Sequence, residues 1–136
     1  MKVLVDTCVW SHVLKGAKGK FKYLKNDFEP LIIDNRVQII GPIKQEILSA
    51  YKDELKFEKI KKHLGYFPNT KLLDEDFEIA ARFHTICRGK GVQGSHIDFL
   101  ICAVSVRTKS SIMTVDKDFL NYKRHLPIEM YESYSA

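Results

Sequence analysis

The sequence predicts an α/β fold, a three-layer α/β/α sandwich built on a central, mainly parallel sheet. Three observations carry that expectation. Short apolar runs that read as buried strands alternate with longer segments of helical periodicity, the pattern of layered α/β domains. The segment from Ile97 to Val106 is apolar almost all round, as expected of a helix held between the sheet and another layer. Four acidic residues stand at strand ends or helix starts: Asp6 after Val3-Leu4-Val5, Glu46 just past Val37-Gln38-Ile39-Ile40, Asp98 opening the apolar helix, and Asp116 after Ile112-Met113-Thr114-Val115. If the strands run parallel, their carboxyl ends share one edge of the sheet, where ligands of open α/β folds bind.

Residues 2 to 5 read as the first strand, and Thr7 to Lys15 as a helix that Asp6 or Thr7 can cap. Gly16 and Gly19 mark a loop. Phe21 to Asn35 has helical spacing, broken by Pro30, and Val37 to Ile40 is a second strand. Gly41-Pro42 starts a helix running to about Tyr51, since proline is preorganised for a first turn. In it Ile43, Ile47 and Tyr51 form the buried stripe and leave Glu46 at its border. Asp53 to His63 is a lysine-rich helix, Gly65 to Asn69 a break, and Thr70 to Leu73 a short edge strand. Asp74 to Arg88 repeats apolar positions at Phe77, Ala80, Ala81, Phe83, His84 and Cys87, and Gly89 and Gly91 end it. After the apolar helix come a strand over Ile112 to Val115, a short helix over Lys117 to Arg124 and a last strand over Ile128 to Tyr131.

The 136 residues make one domain, 1–136, by length. A composition of 45% hydrophobic and 29% charged residues is that of an ordinary soluble globular protein. Charge-free runs such as Phe99 to Val106 are too short to cross a bilayer, and Asp6 falls where a signal peptide needs apolar residues, so a cytoplasmic protein is expected. Cys8, Cys87 and Cys102 are odd in number and widely spaced, which favours reduced thiols: Cys102 as a small buried hydrophobe, Cys8 as a neighbour of Asp6 that takes no part. Net charge is +5, and setting the four acids aside leaves 22 basic residues against 13 acidic ones. Such an excess suits a polyanion, although a solvated basic surface has the same composition.

Each acid taken alone has an innocent reading, because Asp satisfies orphan N–H groups at helix starts; Ser95-x-x-Asp98 resembles a loose capping box, and Asp116 can cap the helix that follows. Their company argues otherwise. Ile97, Phe99, Leu100 and Ile101 around Asp98 are all apolar, and a buried carboxylate must be paired or metal-bound. Thr114 and Asp116 share one side of a strand end with Asp118 close behind, so that a hydroxyl can orient a carboxylate. An oxygen donor set with few histidines in reach favours Mg2+ or Mn2+ over zinc. Two such ions about 3.5–4 Å apart would activate a water and neutralise a phosphodiester, with Asp6 the natural bridge.

The segments DTCVW (Asp6 to Trp10), PIKQEIL (Pro42 to Leu48), G-x6-D-x-x-I-x-A (Gly91, Asp98, Ile101, Ala103) and TVDKDF (Thr114 to Phe119) resemble, in order and spacing, the PIN-domain nucleases, and among them most the VapC toxins of prokaryotic toxin–antitoxin pairs. The resemblance implies a metal-dependent endoribonuclease with Asp6, Glu46, Asp98 and Asp116 as its acidic cluster and Thr114 and Asp118 in support. It also implies a homodimer held inactive by a small VapB-like antitoxin. Cys8 stands where Ser or Asn is common and Cys102 where Ala is usual, both small changes. The rival readings are a non-catalytic RNA- or protein-binding module, which four retained acids disfavour, and a nuclease of RNA maturation outside any toxin pair.

Other signals are weaker. Gly89-Lys90-Gly91-Val92-Gln93-Gly94 matches a dinucleotide fingerprint but follows a helix instead of a strand, so it reads as a connection. The histidines show no ligand spacing; His96, two residues before Asp98, is the one placed to touch substrate, with a helix-start role the plainer reading. Lysines 15 to 25 and 52 to 62 read as solvated faces or as contacts to an RNA backbone. Trp10, Phe21, Tyr23 and Phe28 ordinarily read as core or interface residues, but the resemblance implies that this early helical region meets the inhibitory partner, so an apolar groove with Phe21 and Tyr23 in it is expected there.

Overall fold

The computed structural model describes residues 1–133. Strands β1 (Val3–Val5), β2 (Val37–Gln38), β3 (Ser111–Met113) and β4 (Glu129–Met130) form one sheet in the order β2-β1-β3-β4, with every pairing parallel. Helices α1 (Thr7–Leu14), α2 (Lys22–Ile33), α3 (Gly41–Ser49), α4 (Glu54–Leu64), α5 (Asp74–Gly89), α6 (His96–Arg107) and α7 (Asp118–Lys123) flank it. Short as it is, the sheet is closed to water at its centre: Val3, Leu4, Val5 and Ile112 are fully buried, as parallel strands covered on both faces must be. Helix α6 carries seven consecutive buried residues, Phe99 to Ser105, and packs along α5, which fits its nearly uniform apolar sequence. Among the described residues no helix is long and apolar enough to cross a membrane.

The strand order decides where a ligand can sit. The chain steps from β1 to one side for β2, then returns across β1 to the other side for β3. At that reversal the connections leaving the carboxyl ends of β1 and β3 run apart and open a crevice between them. Asp6 and Thr114 are the first residues beyond those two ends, and the Asp6 N–H bonds the Met113 carbonyl at the end of β3 at 2.9 Å.

Three expectations are corrected. Helix α2 runs through Pro30 to Ile33 instead of breaking there. A proline inside a helix costs about 3 kcal/mol, but Leu24, Phe28 and Leu31 recur on one buried face, and burying each side chain returns roughly 1.5–3 kcal/mol. No edge strand forms over residues 70 to 73; the sheet is extended there only by a bridge between Ile39 and Asn69, with the Thr70 N–H bonded to the Ile39 carbonyl at 2.8 Å. The buried face of α5 is Asp76, Ala80, Phe83 and Cys87, while Phe77 is 53% exposed and Ala81 also faces solvent. Asp76 turns that face inward because its carboxylate accepts from the Leu73 N–H at 2.8 Å and from Arg107 at 2.6 and 2.9 Å.

Candidate acidic site at the sheet edge

Asp6 is the N-cap of α1, its Oδ1 accepting from the Thr7 N–H at 2.8 Å, so the capping role and a place in the crevice coexist in one residue. Its other oxygen, Oδ2, accepts from the Thr114 hydroxyl at 2.8 Å and from the Cys8 thiol at 3.5 Å. The Thr114 hydroxyl in turn accepts from the Asp116 N–H at 3.0 Å. Cys8 is therefore part of the support of Asp6: its sulfur lies 3.3 Å from Thr114 Oγ1 and accepts from the Val115 N–H at 3.4 Å. Burial, then the nearby Asp6 charge, pushes the Cys8 thiol up, so it stays protonated and can donate.

Asp98 arrives from the first turn of α6. The Ser95 hydroxyl caps that helix by accepting from the Asp98 N–H at 3.1 Å, while the Asp98 carboxylate accepts from the hydroxyl of the buried Tyr122 at 2.6 Å. Asp116 Oδ1 accepts from the Asp118 N–H at 2.9 Å. Asp118 thus meets Asp116 through its backbone, and its side chain is exposed. Glu46 projects from the second turn of α3, exposed at the rim.

Asp6, Glu46, Asp98 and Asp116 all line one crevice of about 530 Å3, together with Thr7, Cys8, Ser95, His96 and Ile97. His96 is at once the first residue of α6 and a wall of this crevice, its ring edge-on to His84. The acids feel one another. Partial burial first, then the Asp6 and Asp98 charges, raises Glu46 above the usual carboxylate range, with Thr7 easing the rise. Burial likewise raises Asp98, the Tyr122 and Ser95 hydroxyls oppose it, and the Asp6 and Asp116 charges add to it.

A hard divalent cation suits this donor set. The acidic groups offer oxygens, the carboxylates repel one another, and the Thr7 hydroxyl on the crevice wall adds a further oxygen beside Glu46. Among the described residues no three Asp, Glu, His or Cys side chains stand close enough to hold an ion by themselves, so the acids line the crevice without closing into a cage.

Sequence reasoning did not reach Tyr122, Gly94 or the part Cys8 plays. The spacing of Phe119 and Tyr122 marks one buried face of a short helix, yet nothing local tells which carboxylate that face meets.

An open parallel sheet with a carboxylate-lined crevice at its topological switch point defines the class: an α/β protein with an acidic crevice over the ends of β1 and β3. The PIN domain model matches residues 3–125, and the chain belongs to the PIN domain family. No curated protein matches its sequence. Solved structures of the same fold include VapBC2 from Rickettsia felis bound to a DNA fragment from their promoter, with a TM-score of 0.77, 17% identity, and 97% of this chain covering 98% of that one. FitAcB from Neisseria gonorrhoeae has a TM-score of 0.73 at 15% identity over 98% of this chain and 99% of that one. A toxin–antitoxin complex from Klebsiella pneumoniae has a TM-score of 0.70 at 15% identity, covering 87% and 90% of the two chains.

Proposed function

We propose that this chain is a metal-dependent endoribonuclease, the toxin of a toxin–antitoxin pair, which hydrolyses an RNA phosphodiester bond and leaves a 5′-phosphate. The observation that carries the reading is the convergence of Asp6, Glu46, Asp98 and Asp116, from four different parts of the chain, on one crevice. Asp6, Glu46, Asp98 and Asp116 would hold Mg2+ or Mn2+, which supplies an acidified attacking water and neutralises the phosphate oxygens when bound. The chain does the positioning. Asp6 is gripped by the Thr7 N–H, the Thr114 hydroxyl and the Cys8 thiol, so its carboxylate cannot swing with the helix it caps. Asp116 is held through Asp118 and Thr114, and Ser95 fixes the turn that presents Asp98. The chain carries 22 basic residues, and the exposed lysines along α4, Lys56, Lys59, Lys61 and Lys62, would attract an RNA backbone.

The partner reading has its own support. A groove of about 390 Å3 runs between α1, α2 and α4, lined by Trp10, Val13, Phe28, Ile32, Leu64 and Phe67 among others. Trp10 is almost wholly buried, yet its indole N–H has no acceptor among the described residues. An apolar segment of a VapB-like antitoxin would fill the groove. Phe21 and Tyr23 stand outside the groove, Phe21 stacking on His12 with centroids 3.8 Å apart. A homodimer has a ready surface in the apolar hollow around Pro42, Phe77, Ala81 and Leu100. In this reading residues 1–136 act as one cytoplasmic nuclease domain.

The test is cleavage of purified RNA by the purified chain with and without Mn2+, followed by mapping of the ends. Asp98→Asn should abolish cleavage and leave the fold intact. Cleavage by Asp98→Asn at the wild-type rate would refute the assignment.

A further inference from the structure

The Tyr122 hydroxyl reaches from α7 to Asp98, one wall of the acidic crevice. It gives its proton to Asp98 Oδ2 at 2.6 Å across 24 residues of chain. The tyrosine has no freedom to choose another partner. Its side chain is fully buried, with Phe99 at 5.0 Å between ring centroids and Phe119 edge-on at 5.1 Å. Its hydroxyl passes through a space that only a missing side chain provides: a Cβ built at Gly94 would lie 2.5 Å from Tyr122 Oη and 2.8 Å from its Cζ. Gly94 needs no left-handed backbone, so its smallness here serves contact instead of conformation.

A core tyrosine needs some acceptor for its hydroxyl, and that need alone would be met by any carbonyl. Here the acceptor is a half-buried carboxylate on the crevice wall, beside the charges of Asp6 and Asp116 that push it away. A short bond from a rigid phenol pins one carboxylate oxygen against that repulsion and leaves the other lone pairs to the crevice. We infer that Tyr122 is a positioning residue for Asp98, held on target by the packing of Phe99 and Phe119 and by the absence of a side chain at Gly94. This rests on the reading of Asp98 as a metal ligand.

The experiment compares Mn2+ binding, by calorimetric titration of the purified chain, and RNA cleavage across Mn2+ concentrations for wild type, Tyr122→Phe, Phe119→Leu and Asp98→Asn. Tyr122→Phe keeps the ring and removes the hydroxyl, so Mn2+ affinity should fall on the order of tenfold, as losses of groups that orient a ligand do. Cleavage at saturating Mn2+ should recover most of the way to wild type. Phe119→Leu loosens the packing that holds the hydroxyl on target, and should lower the melting temperature and weaken Mn2+ binding by less than Tyr122→Phe does. If Tyr122→Phe has the wild-type Mn2+ midpoint while Asp98→Asn loses binding, the positioning role is overturned and the metal reading stands. If wild type binds no Mn2+, the metal reading falls and takes this inference with it.

Discussion

Gly94→Ala is the sharpest probe of how the acidic crevice is built. The added methyl would sit 2.5 Å from Tyr122 Oη, 2.8 Å from Tyr122 Cζ and 2.9 Å from Phe99 Cε2, all well inside van der Waals contact. None of these atoms is the loose end of a flexible chain; both rings are fully buried and packed on each other. Forcing a methyl into such a place costs about 1–3 kcal/mol. With an unfolding entropy of about 2.1 cal/mol/K per residue, 136 residues give roughly 0.29 kcal/mol per degree, so a cost of about 2 kcal/mol lowers the melting temperature by roughly 7 °C. The assay is thermal unfolding of wild type, Gly94→Ala, Tyr122→Phe and the double variant. Removing the hydroxyl deletes the closest clash and leaves that with Cζ, so the double variant should be more stable than the two single losses predict, by about 1 kcal/mol. Strict additivity, or a Gly94→Ala melting temperature within a degree of wild type, would refute the claim that this glycine is there to admit the phenol.

Other outcomes follow from the same contacts. Asp76 lies buried; burial opposes its ionisation, but Arg107 and the Leu73 N–H outweigh it and hold the carboxyl below its usual range. Its folded pKa being the lower one, its contribution is complete above the unfolded value of about 3.9 and is lost as pH falls through the folded value. Arg107→Met should therefore cost about 3 kcal/mol near neutrality and a smaller amount in acid, read from melts across pH. Thr114→Ala removes the hydroxyl that links Asp6 to the Asp116 N–H and should lower RNA cleavage on the order of tenfold with the melting temperature little changed; unchanged cleavage would sink that role. Ile32→Glu puts a charge in the groove beside Trp10, on a side chain already 41% exposed, and should weaken capture of a co-expressed antitoxin without altering the melt.

Much of the fold could be read from local pattern because local pattern caused it. Val3 to Val5 and Ile112 to Met113 are apolar because both faces of a parallel sheet are covered, and α6 is apolar all round for the same reason. Asp6, Asp98 and Asp116 stood out because each follows such a run or opens such a helix, and Glu46 because it borders the buried stripe of α3. What could not be read was tertiary in origin. Sheet order depends on which strand crosses which, so the crevice between β1 and β3 is invisible in any window of sequence. Pro30 looked like a breaker, and only the burial of Phe28 and Leu31 shows why the helix continues. Phe77 fitted the apolar repeat of α5, but the ion pair of Asp76 with Arg107 sets the helix rotation and leaves Phe77 outside. Tyr122 and Gly94 meet only after α6 and α7 have packed.

The bond between Thr114 and Asp6 joins residues 108 positions apart, and β1 finds its central neighbour only in β3. A growing chain that has reached Cys8 has the local partners of Asp6, the Thr7 N–H and the Cys8 thiol, but lacks the Thr114 hydroxyl until β3 has been made. Every residue from 6 to 114 must be made before that contact can form, so the crevice is a late product of folding and not of any single segment.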